Sequence, residues 1–343
     1  MLPLSSRYPI AGPSRRLFAG LLAVTVSLAA GACGADDGLA PAEATPASVD
    51  ATPVSAGELT PSTAGAPVNA LAGTLQRILF TSYRTGRSDV YSMDPQGGNV
   101  AHLTTTPNHD GEPAWSWDNK QIAFMRLRPD NSNIPREDIY LIKADGSNGH
   151  WARPLASTWM LWDPAWSPDG SRIVVSVHLP DGNYLGWINV ATGGLNVFAP
   201  GVKGTEPSYD PTGQRIVFVG SAEKTIEQIN ADGSGHKTRY TTSTFVRHPV
   251  FSPDGKKIAF EQRVVGTFNT DIFVKNLIAG TTQRVTWSSA TDASPTWSPD
   301  GTRIVFTSNR SGPNYQIYTM SPTGGNVVRI KSAFGDWEPA SSH

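Results

Sequence analysis

The chain has 343 residues, of which 38% are hydrophobic and 17% charged, with 33 Gly, 27 Pro and a single Cys. That length and apolar share are enough for a sizeable core, and the Gly and Pro counts call for many turns. The formal charge of −1, with no run of clustered Lys and Arg, excludes an electrostatic nucleic-acid surface, and the lone cysteine excludes an intramolecular disulfide.

The amino terminus reads as a sorting label over residues 1–32. Arg15 and Arg16 precede an apolar run from Leu17 to Ala30 that ends in small residues, the layout of a secretory signal peptide. At about 14 residues the run is shorter than the roughly 20 of a membrane span. "SRRLF" at Ser14 to Phe18 resembles the twin-arginine export motif, with Ala19 and Gly20 in place of the usual Leu and Lys, so twin-arginine and Sec export both stay open. "LAAGAC" ends at Cys33 and resembles a lipobox, in which the cysteine becomes the lipidated first residue of the mature chain. Ordinary cleavage near Ala30 or Ala32 is the alternative. Removing residues 1–32, which carry three arginines and no acid, leaves a net charge of −4. Residues 33–73 are Ala, Pro, Thr, Ser and Gly with few large side chains. Such a segment buries too little to fold and is expected to act as a tether.

From residue 74 to residue 343 one unit repeats. Pro113, Pro164, Pro207, Pro249, Pro295 and Pro339 recur at spacings of 51, 43, 42, 46 and 44, each opening a short strand such as "PAWS", "PSYD" or "PTWS". A turn follows, "SPDG" in three copies, then an apolar strand ("QIAF", "RIVF", "KIAF"), a third strand ("DVYSM", "DIYLI", "QIYTM") and a fourth near "HLT", "RVT" or "VRI". In the turn, Pro presets the first corner, Asp bonds the neighbouring backbone and Gly takes a positive φ; "WDN" at Trp117 to Asn119 and "PTG" at Pro211 to Gly213 are tolerated variants. Four short strands per unit with no helical period predict an all-β chain.

The ends decide how the units are arranged. The sixth copy, "DWEPASSH", stops after its first strand, whereas "RILFTSYRTGRSDVYSM" at the front is a unit lacking one. The two fragments complete each other, which predicts a six-bladed β-propeller of four-stranded blades, closed by three N-terminal strands and one C-terminal strand. A monomer is expected.

The unit P-x-W-S-P-D-G-x-x-I-x-F, followed by T-S-x-R-x-G and I-Y-x-M, resembles the TolB-type, WD-like propeller repeat over about residues 74–343. The resemblance implies the propeller fold. For function it implies only a class, because such propellers serve as binding platforms, as portions of peptidases and occasionally as enzymes.

The first strand of each blade faces the centre, so the residues just before the repeat proline are the candidates for a ligand mouth. One before it stand Glu112, Asp163, Glu206, His248, Ser294 and Glu338; three before it stand Asp110, Asp292 and Asp336. An acid-rich mouth suits a basic protein segment, an amine or a metal ion. The competing expectation is that these carboxylates bond backbone amides and pair with arginines such as Arg84 and Arg310 of adjoining blades. Trp115, Trp166, Tyr209, Phe251 and Trp297, two after the proline, are expected in the core, and Trp159, Trp162 and Trp337 close to the mouth, where exposure would favour a sugar or peptide ligand.

No G-x-S-x-G, no H-E-x-x-H and no cofactor motif occurs, and His102, His109, His150, His178, His236 and His248 are scattered among units. The expectation is a non-enzymatic, membrane-tethered platform of the bacterial cell envelope, facing the periplasm or the cell surface, that holds a protein or peptide and no cofactor. The alternative is a carbohydrate-active or lactone-cleaving propeller using His and carboxylates in the channel.

Overall fold

The computed structural model describes residues 77–128, 136–154, 159–198, 202–330 and 336–341, with the side chains of Trp337 and Ser341 excepted. The chain divides at residue 52, and every described residue lies in the unit that follows. The signal segment, its Arg15 and Arg16, Cys33 and the tether therefore lie outside the described residues.

Among the described residues there are twenty-four strands and no helix, in six antiparallel four-stranded sheets. Blade 1 holds β1 (Ile78–Ser82), β2 (Asp89–Met93) and β3 (Ala101–His102); blade 2 holds β4 (Asp110–Trp115), β5 (Gln121–Arg128), β6 (Arg136–Lys143) and β7 (His150–Trp151). Blade 3 is β8 (Met160–Trp166), β9 (Arg172–Leu179), β10 (Gly182–Asn189) and β11 (Leu195–Val197). Blade 4 is β12 (Gly204–Tyr209), β13 (Arg215–Gly220), β14 (Thr225–Asn230) and β15 (Lys237–Thr241). Blade 5 is β16 (Val246–Phe251), β17 (Lys257–Arg263), β18 (Thr270–Asn276) and β19 (Thr282–Arg284). Blade 6 is β20 (Asp292–Trp297), β21 (Ile304–Ser308), β22 (Gln316–Met320) and β23 (Val328–Arg329). The last strand, β24 (Asp336–Ser341), returns to pair antiparallel with β1, Ile78 opposite Ser341 and Ser82 opposite Asp336, and so completes blade 1. The first strands touch in order round the ring, β4 on β8, then β12, β16, β20, β24 and back to β4. The expected six-bladed, end-closed propeller is the observed one.

Local chemistry explains the blades. In "SPDG" of blade 3 the Gly170 amide donates to the Ser167 carbonyl at 2.9 Å, and the Asp169 carboxylate accepts from Ser167 Oγ and the Ser171 amide. Gly170 has φ +70°, and Asn119 stands at φ +58° in the variant turn of blade 2. The left-handed corner is what Gly supplies free of strain and Asn tolerates best.

The core lies between blades. Each of six apolar clusters draws on two neighbours; one joins Leu79 and Val90 of blade 1 to Trp115, Ile122 and Phe124 of blade 2, and another joins Ile78 and Phe80 of blade 1 to Val305 and Ile317 of blade 6. Phe80, Phe124, Phe218, Phe260 and Phe306 occupy the same place on the second strand of five blades and are wholly buried. The repeat aromatics Trp115, Trp166, Tyr209, Phe251 and Trp297 are buried in these clusters as expected.

Candidate functional site

The six residues before the repeat proline share one backbone state. Glu112, Asp163, Glu206, His248, Ser294 and Glu338 have φ between 49° and 57°, and each lies where the pairing of the first strand with the second slips register. A non-glycine residue in the left-handed region costs roughly 1–3 kcal/mol, and one preceding proline is further restricted. Six such residues, each at a bulge, turn inward together. With their prolines they line a single central cavity of about 160 Å³.

A chain of hydrogen bonds runs from blade to blade around that cavity. The Glu338 carboxylate accepts from the Glu112 amide at 2.9 Å and from the Thr81 hydroxyl at 3.0 Å. Glu112 in turn accepts from the Asp163 amide at 2.8 Å. Asp163 accepts from the Glu206 amide at 3.2 Å and the Ser176 hydroxyl at 2.7 Å. Glu206 accepts from the His248 amide at 2.5 Å and is paired at 2.9 Å with Arg247, which also meets Glu223. At blade 5 the carboxylate comes from the second strand instead, where Glu261 accepts the Ser294 amide at 2.7 Å and stands 3.4 Å from His248 Nδ1. Burial by itself would push the His248 imidazole down, but the carboxylates of Glu206, Glu261 and Asp163 outweigh it and hold the pKa up at about 10. At neutral pH it is an imidazolium among carboxylates.

Asp110, Asp292 and Asp336 take a different place: they are fully buried and do not line the cavity. Arg126 grips Asp110 with two nitrogens at 2.7 and 2.8 Å, Arg310 holds both oxygens of Asp292 at 2.8 Å, and Arg84 reaches Asp336 at 3.0 Å. Each guanidinium also stacks on an aromatic pair, Arg84 over Phe80 and Tyr91, Arg126 over Phe124 and Tyr140, Arg310 over Phe306 and Tyr318. Burial raises the carboxyls of Asp110 and Asp336 above the ordinary range against the pull of these arginines. The pairs lie within blades, which corrects the expectation of partners in adjoining ones. The register explains it: Asp110 sits directly opposite Arg126, Asp292 opposite Ser308 and Asp336 opposite Ser82, two residues from Arg310 and Arg84.

The aromatics near the mouth also differ from expectation. Trp162 is buried, and Trp159 packs half-buried against the core between blades 2 and 3; the Trp337 side chain lies outside the described residues. Four participants escaped the sequence reading: Glu261, Arg247, Thr81 and Ser176. The available signal was an acid inside the apolar strand "KIAFEQR", at the register position that Thr81 and Ser176 fill in blades 1 and 3. Among the described residues no three His, Cys, Asp or Glu side chains converge to hold a metal ion, and His248 is the one histidine lining the cavity.

A family model described as the TolB beta propeller domain matches residues 61–250 and 239–342. The chain belongs to this family. It is 26% identical over 237 residues to the Tol-Pal system protein TolB of Francisella tularensis subsp. holarctica, a match covering 67% of this chain and 53% of that protein. The chain thus spans about half the length of the curated TolB relative it matches. Among solved structures, TolB from Acinetobacter baumannii superposes with a TM-score of 0.67 at 21% identity, over 79% of this chain and 67% of the other. An oligogalacturonate lyase in complex with manganese shares the fold at a TM-score of 0.52 and 16% identity, over 74% of this chain and 73% of the other. These likenesses carry the fold, which hosts both binding proteins and enzymes.

Proposed function

We propose that this TolB-family propeller is a non-enzymatic protein- or peptide-binding platform of the bacterial cell envelope, and that its central mouth receives a basic segment of an envelope partner. One observation carries the reading: four of the six inward-turned side chains lining the cavity are carboxylates, and Glu261 adds a fifth beside them. Arg247 and His248 offset two of the five negative charges, so the rim stays net acidic. Membership of the TolB family and similarity to a Tol-Pal system protein support the reading of a protein partner. The carbohydrate-cleaving alternative draws on shared fold alone.

The test replaces Glu112 and Glu338 together by Gln. The Gln carbonyl still accepts the neighbouring amide, so the fold is kept and the charge removed. A lysine-rich peptide is expected to bind the wild type, to bind the double variant at least tenfold more weakly, and to weaken as salt rises, since charges at an open mouth are screened over about 8 Å at physiological ionic strength. Equal, salt-insensitive binding by both proteins would remove the basis of the reading.

We place the protein at the membrane through lipid on Cys33, exported ahead of a 33–73 tether, as a monomer. Detergent partitioning of the mature protein, lost in Cys33→Ser, is the expected result; a soluble wild type with an intact thiol would refute it.

A further inference from the structure

Five of the six steps round the mouth are closed by a carboxylate accepting the amide of the next blade, and one is not. Blade 5 shows how a missing acid is replaced: with His248 before its proline, Glu261 from the second strand serves Ser294. Blade 6 makes neither provision. Its pre-proline residue is Ser294, and the second-strand residue in register, Thr307 opposite Ala293, donates its hydroxyl to the Ala293 carbonyl at 3.1 Å. Among the described residues no carboxylate of blade 6 reaches the amide of Glu338, the counterpart of the five amides that are served.

Ser294 itself is only 5% exposed, lines the cavity, and has a hydroxyl with no hydrogen-bond partner. Buried hydroxyls are nearly always satisfied, so an unpaired one that lines a cavity points to a partner that enters the cavity. The ring indicates the kind of partner. On blades 1 and 3 the group held between a hydroxyl and the next blade's amide is a carboxylate oxygen: Thr81 and the Glu112 amide hold Glu338, and Ser176 and the Glu206 amide hold Asp163. Thr81 and Ser176 lie on second strands, where blade 6 has Thr307; Ser294 stands instead where those blades carry the carboxylate, and its own hydroxyl has no acceptor. A further acid in a net-acidic rim would be repelled, which makes a neutral carbonyl the fitting acceptor, and Glu338 and Glu112 next in the ring favour a cation beside it. One group carries a carbonyl and a cation on the same carbon.

We propose that the blade 6 gap is a subsite for the amino-terminal residue of a peptide, with its carbonyl oxygen accepting from Ser294 and its α-ammonium paired with Glu338 and Glu112. A cavity of about 160 Å³ has room for one small residue or a few waters. This deepens the reading of the mouth as a partner-binding site and rests on it.

The test titrates trialanine, with a free amino terminus or N-acetylated, into the full chain by calorimetry. The free form is expected to bind at least tenfold more tightly than the acetylated one. Ser294→Glu supplies the sixth carboxylate in a backbone state that already holds glutamate in three blades; it should abolish the binding, and Ser294→Ala, which loses only the donor, should weaken it severalfold. Circular dichroism of both variants confirms the fold. Equal binding of the acetylated peptide, binding untouched by Ser294→Glu in a folded protein, or no binding of either peptide overturns the proposal. If the lysine-rich peptide still binds the mouth in a salt- and Glu112/Glu338-dependent manner while trialanine does not, the subsite fails and the broader reading stands. If neither binds, both fail.

Discussion

Removing the eight residues from Asp336 to His343 should damage the protein far more than trimming a chain end. β24 is the innermost strand of blade 1, and three losses can be counted from its contacts. Arg84, only 19% exposed at its side chain, loses the fully buried Asp336; breaking such a pair by taking one partner away costs about 3–5 kcal/mol. The Glu112 amide and the buried Thr81 hydroxyl lose the Glu338 carboxylate, at about 1–3 kcal/mol each wherever water does not replace it. Leu79 and Phe80, both wholly buried, become the flank of an open edge. The sum is on the order of 5–10 kcal/mol, comparable with the entire net stability of about 5–15 kcal/mol typical of a folded domain. For a domain of this size about 2–4 °C is lost per kcal/mol, so the melting midpoint should fall by more than about 10 °C. Thermal and urea unfolding of the deletion variant, followed by circular dichroism, measure this directly. A midpoint within about 3 °C of the full chain would show that β24 is not what holds blade 1 closed.

Two further predictions concern charges that the fold has buried. Arg126→Met leaves Asp110 fully buried without its two-nitrogen partner and should cost about 3–5 kcal/mol in urea unfolding, whereas adding Asp110→Asn should recover part of the loss; no recovery would mean that Arg126 matters for its stacking on Phe124 and Tyr140 alone. His248, held up to about 10 from an ordinary 6.5, favours the folded state most fully below pH 6.5, and that contribution is lost as pH rises through 10. The stability gap between wild type and His248→Gln should therefore shrink from pH 6 to pH 10, and a constant gap would rule out the imidazolium.

The fold was legible in the sequence because its determinants are local and repeated. Each "SPDG" specifies a hairpin corner by the backbone preferences of four consecutive residues, and the alternation of short apolar strands needs no partner to be recognised. Even the closure of the ring could be read, since a unit without its first strand at one end and a first strand without its unit at the other leave one economical pairing. The site was legible only in outline. That the residues before the repeat prolines converge followed from the repeat; that they do so by adopting positive φ at six matching bulges did not, because side-chain identity says little about a left-handed backbone at Glu, Asp, His or Ser.

What the sequence determined by itself is the repeating blade, its turns and the set of acids carried near the centre. What only the tertiary structure decided is how those acids divide. Asp110, Asp292 and Asp336 became buried partners of arginines because strand register sets them opposite the end of their own blade's second strand. Glu112, Asp163, Glu206 and Glu338 became a ring because each bulge swings a carboxylate toward the amide of the following blade. Spacing along the chain cannot distinguish these fates, since residues two apart on a regular strand share a face and only the register slip between them turns one inward to the cavity and leaves the other in the blade.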